Sequence, residues 1–150
     1  MDATSLLAGY LKIHQPFIGK VVDFDVANDR FFKFDFTAAN TDLNPDLVAD
    51  TERFSRWVNQ KLADNQCRYG IGGYMEHRTL YSRSILFNVN EDNEPRRLHL
   101  GVDIWGEAGT PVYAPLPATI HSFNDNNNFG DYGPTIILAH QLDGLQLYSL

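Results

Sequence analysis

Residues 96 to 116 read RRLHLGVDIWGEAGTPVYAPL, and His99 and Asp103 stand four positions apart inside this largely apolar run. Imidazole and carboxylate are both donors that zinc accepts. A carboxylate left unpaired among apolar side chains costs far more than a buried methyl group contributes, so Asp103 needs a partner there. One account is a satisfied pair serving the core or the surface; the other is a metal ion shared with His99. The spacing H-x-x-x-D arises readily by chance and leaves both open.

Geometry sets what the metal account requires. On a straight strand, positions i and i+4 lie roughly 13 Å apart at about 3.3 Å per residue. Two donors of one zinc must each lie about 2.0 to 2.2 Å from it. A flat strand cannot achieve that, so the chain has to bend between them. Gly101 sits at the midpoint, where the missing Cβ permits a kink or bulge. A glycine in a strand is equally compatible with simple close packing.

The elements that would carry this pair are short and β-like. TLYSRSILF (79–87), LHLGVDIW (98–105), TPVYAP (110–115), ATIHSF (118–123), TIILAH (135–140) and LQLYSL (145–150) are strand-like runs. Turn residues bound them: Asn and Asp at 88–93, Gly106 and Gly109, the 126–133 stretch, and Asp143-Gly144. Short strands at this spacing predict a sandwich or barrel. The first part of the chain reads differently. Residues 2–14 fit a short helix with Leu6, Leu7, Tyr10 and Leu11 on one face. VVDFDV (21–26) and FFKFDF (31–36) alternate with period two around Asn28-Asp29, which predicts a hairpin. A helix is expected over 45–64, capped by Asn44, opened by Pro45, with Asp46, Asp50 and Glu52 at its positive end. Leu47, Phe54, Trp57, Val58 and Leu62 give it an apolar face.

The expected fold is therefore α+β and mainly β: an antiparallel sheet or incomplete barrel-sandwich preceded by a helix-hairpin-helix segment. The boundary falls after YGIGGY (69–74), dividing an α/β segment, 1–70, from a β-rich part, 71–150. These are not expected to be independent domains.

Composition removes several function classes. A net charge of −7 argues against a nucleic-acid partner and against an anionic membrane surface. No window approaches the eighteen or so apolar residues of a membrane span, and the start lacks the basic region of a signal peptide, so a cytoplasmic location is expected. Cys67 is the one cysteine, excluding an intrachain disulfide, and reads as a small buried hydrophobe. No lysine follows Lys61, which removes a lipoyl or biotinyl carrier, whose lysine sits at a hairpin tip. A phosphocarrier would need two facing histidines, for which His121 and His140 are the candidates.

HLGVDIWGEAGTPVYAPLPATI followed by FGDYGPTIILAHQLDGLQLYSL resembles the LytM-type zinc metallopeptidases, the M23 family. The likeness covers residues 97–150 and rests on H-x-G-x-D, Gly109-Thr110-Pro111-Val112, Ala114-Pro115, and an I-I-L-x-H strand leading to a glycine turn. Pro117-Ala118 stands where the family hairpin usually carries a glycine. The resemblance implies a zinc endopeptidase acting on peptides, usually peptidoglycan stem-peptide cross-links, with His99 and Asp103 as two of three protein ligands. It places the third ligand and the catalytic histidines in Y-x-H-L and H-x-H motifs that would follow Leu150, so no catalytic residue falls within these 150 residues. The fragment alone is then expected to be inactive, with an incomplete sheet edge open to self-association. Glu76, His77, Arg78 and His140 are candidates to line a substrate groove. A peptidoglycan substrate favours the cell envelope, in tension with the start of the chain. The alternative is a non-catalytic binding or regulatory module on the same scaffold.

Overall fold

The computed structural model describes residues 2–78, 98–128 and 131–150. The strand expected over 79–87 and the turn over 88–93 lie outside the described residues. In chain order the elements are α1 (Ala3–His14), a 3-10 turn (Gln15–Phe17), β1 (Phe31–Phe34), α2 (Pro45–Ala49), α3 (Thr51–Asp64), β2 (Tyr69–Gly72), β3 (Glu76–His77), β4 (Leu98–His99), β5 (Asp103–Trp105), β6 (Thr119–Asn126), β7 (Gly133–Leu142) and β8 (Leu145–Ser149). The fold is mixed α+β with more strand than helix. Among the described residues the sheets are β1-β2-β5, β3-β4 and β6-β7-β8, and none closes into a barrel.

The chain forms two compact units, one of residues 25–110 and one of residues 1–24 with 111–150. The first carries His99 and Asp103. Its core is aromatic: Phe34, Phe36, Leu47, Phe54, Val58 and Leu62 are buried, with Trp57, Cys67 and Trp105 packed against them. Phe32, Phe34 and Phe36 alternate with exposed Lys33 and Asp35, as a half-buried strand must. β1 does not pair with residues 21–26, however, but lies parallel to β2, with Phe31 opposite Tyr69 and Phe34 opposite Gly72.

Two features displace the expected hairpin. Asp25 locks a local turn, its side chain accepting from the Ala27 N–H at 2.9 Å and the Asn28 amide at 2.6 Å. Upstream, the Val21 carbonyl accepts from the Tyr113 N–H at 2.8 Å. Parallel pairing needs a long crossover, and α2 and α3 supply it. The single helix expected over 45–64 is two, because extended backbone at Asp50 ends α2 and its carboxylate caps α3 through the Glu52 and Arg53 N–H groups, both at 3.0 Å.

In the second unit, β7 pairs antiparallel with β6 and with β8. Asp143 and Gly144 close the β7–β8 hairpin with positive φ at both positions, 44° and 86°, the primed turn that matches strand twist.

Candidate metal centre

His99 lies on β4 and Asp103 opens β5, and both strands pair with one upstream stretch. Gly72 faces Asp103 and Glu76 faces His99, so both sides advance four residues between these pairs and the register is kept. The ladder is interrupted between them by the Tyr74-Met75 turn on one side and a bend at Gly101 on the other. Met75 adopts φ 59°, and its N–H donates to the His99 carbonyl at 2.8 Å. The interruption shortens the path that a flat strand would hold open.

As a result His99 Nε2 lies 3.4 Å from Asp103 Oδ1. Two donors about 2.1 Å from a tetrahedral zinc stand about 3.4 Å apart, so this separation fits one shared ion. The other ring nitrogen supports the same use. Nδ1 lies 3.0 Å from the Gly73 carbonyl, which only accepts, so Nδ1 carries the proton. That makes Nε2, on the side of Asp103, the ring nitrogen that could take a metal. Metal-bound histidines are regularly held by such a carbonyl.

Asp103 is held from behind. Arg78 Nη1 donates to its Oδ2 at 2.5 Å, and Arg78 Nε donates to Glu76 Oε2 at 2.8 Å. Glu76 Oε1 accepts from the Phe36 N–H at 3.1 Å, tying the network to the backbone beside β1. Burial of Arg78 by itself would make its guanidinium easier to deprotonate. The hydrogen bonds it donates to Glu76 and Asp103, and their negative charges, outweigh that, and the pKa is raised. Two carboxylates against one guanidinium leave the cluster with an excess negative charge, which suits a bound cation.

The structure thus brings together four of the residues singled out in the sequence: Glu76, Arg78, His99 and Asp103. Glu76 and Arg78 turn inward, while His77 between them is exposed. His140 belongs to the other unit. It is 2% exposed, with Nδ1 donating to the Pro117 carbonyl at 3.0 Å and Nε2 accepting from the Ser149 hydroxyl at 2.8 Å. Both its nitrogens are used within that unit. His121 is exposed on β6 and meets the edge of Tyr148. Sequence reasoning did not anticipate the Gly73 carbonyl or the bridging position of Arg78. YGIGGY reads as the boundary between the two segments; its first four residues are β2, and Gly72 lets Arg78 and Asp103 lie close against the backbone there.

No third His, Cys, Asp or Glu completes a metal-binding group among the described residues. The pair fits two positions of a zinc site and does not fill it. No helix among the described residues is long and apolar enough to cross a membrane. No family model, curated protein or solved structure matches the chain.

Proposed function

We propose that this chain contributes part of the metal centre of a zinc-dependent endopeptidase of the M23 type, with His99 and Asp103 as two protein ligands. The observation that supports this best is the 3.4 Å approach of His99 Nε2 to Asp103 Oδ1 while Nδ1 is committed to the Gly73 carbonyl. Bound there, zinc would lower the pKa of a coordinated water to around 7 and polarise a scissile carbonyl. His99 supplies a neutral lone pair in a fixed ring orientation, and Asp103 supplies negative charge. The resemblance would draw the third ligand and the catalytic histidines from Y-x-H-L and H-x-H motifs. The substrate class is a peptide, with a peptidoglycan stem-peptide cross-link as the leading form, and that substrate would place the enzyme at the cell envelope. Of the residues expected near a substrate groove, His77 has the exposed side chain.

The test is hydrolysis of synthetic cross-linking peptides by the zinc-loaded full-length protein. Cleavage that disappears on chelation and in His99→Ala supports the enzyme. Zinc bound at this pair with no cleavage of any such peptide would favour the non-catalytic binding module instead.

A further inference from the structure

A buried cation beside a zinc ligand is an electrostatic liability, because it repels the ion that the ligand would bind. Arg78 is such a cation, with a side chain 5% exposed and hydrogen-bonded to Asp103 Oδ2. Charge accounts for its pairing with Glu76 and Asp103 but not for its orientation. Geometry does. Its Nε is held by Glu76, and its guanidinium lies over the Phe36 ring, 5.0 Å from the centroid. Nη2, which has no hydrogen-bond partner among the described residues, lies against Gly72, where a Cβ would stand 2.6 Å away. A guanidinium fixed on these sides has one orientation, and that orientation occupies Oδ2 and leaves Oδ1 turned toward His99.

We infer that Arg78 is a positioning residue for the metal centre: by occupying Asp103 Oδ2 it makes Asp103 a ligand through Oδ1 alone. This rests on the zinc reading of the preceding subsection. Glu76 compensates the cost, since its carboxylate both orients Arg78 and restores the negative balance that a dication needs. Gly72 belongs to the same device, as the residue whose missing side chain gives the guanidinium room.

The experiment measures zinc affinity of the full-length protein by competition with a chromophoric chelator, together with the visible spectrum of the cobalt(II)-loaded form. Wild type is compared with Arg78→Met, Arg78→Lys, Gly72→Ala and Val58→Ala. If Arg78 were only a nearby charge, Arg78→Met would bind zinc more tightly. Positioning predicts the opposite: affinity about 10- to 100-fold weaker in Arg78→Met and Gly72→Ala, as for other residues that orient metal ligands. Arg78→Lys, which keeps the charge and loses the fork, recovers part of it. The cobalt spectrum weakens as the carboxylate turns bidentate and the coordination number rises. Val58 belongs to the aromatic core and takes no part in the Glu76–Arg78–Asp103 hydrogen bonds; Val58→Ala loosens that core and keeps wild-type affinity. Should Arg78→Met not fold, Arg78→Lys decides, since it removes the fork and leaves Asp103 untouched; Gly72→Ala is read beside it, because a Cβ there would also stand 3.2 Å from Asp103 Cβ and Oδ2. Unchanged or tighter zinc binding in these variants, or equal weakening in Val58→Ala, overturns the role of Arg78 and leaves the zinc reading standing. Failure of the wild type to bind zinc removes both.

Discussion

The imidazole of His99 has one nitrogen on a backbone carbonyl and the other facing a carboxylate oxygen, and little in that arrangement is adjustable. Gly101 is part of the reason. A Cβ there would lie 3.2 Å from His99 Nε2, against the very atom proposed to bind zinc. Gly101→Ala should therefore weaken zinc binding about tenfold while the unfolding midpoint of the metal-free protein changes little, as for a disturbed ligand orientation. A chelator competition checks the first and a urea titration the second; equal affinity would show that the ring can move aside. The need for a bend at this position was legible in the sequence, because two donors at i and i+4 on a straight strand cannot meet. The hold on Asp103 was not, because Arg78 is twenty-five positions away and its charge looked like that of a surface loop.

At the scale of elements, the site depends on how β2 and β3 present Gly72, Gly73 and Glu76 to β4 and β5. β2 in turn is placed by the crossover through α2 and α3 onto β1. The period-two pattern of Phe32, Phe34 and Phe36 was readable as a strand, but its partner was not. A hairpin and a parallel crossover bury the same aromatic face, and only the side-chain turn at Asp25 and the helix pair decide between them. The helix boundary was misjudged for a related reason. Asp50 reads as an acidic residue suited to a first turn, which it is, but of a second helix. Asp50→Ala should cost about 1 kcal/mol of stability, the usual value of an N-cap. Zinc affinity should be unaltered, since Asp50 lies outside the Asp103 network. Urea unfolding of the variant measures the loss, and no loss would mean that α3 is held by its apolar face alone.

For the whole molecule, charge shapes response to acid more than it shapes the fold. Asp35 is held below the usual carboxylate range by hydrogen bonds from the Thr37 hydroxyl and N–H, and Asp42 by its hydrogen bond to Lys61 and the charge of that lysine. Both folded-state values are lowered relative to the unfolded chain. Their stabilisation is thus complete above the ordinary carboxylate range and is lost as pH falls through the lowered values. Urea midpoints should be level near neutrality and fall below about pH 4; a midpoint that rises on acidification would contradict this assignment. The α+β class and the predominance of strand were legible from turn residues and short apolar runs. The division into units was not, because residues 1–24 join 111–150 through contacts no periodicity records.

The central claim is that His99 and Asp103 share a zinc ion. Zinc stoichiometry and affinity of the full-length protein, measured beside His99→Ala and Asp103→Ala, test it most directly. One zinc per chain, lost in both variants while each remains folded, is the expected result. A wild type that binds no zinc, or variants that bind it as tightly, would contradict it.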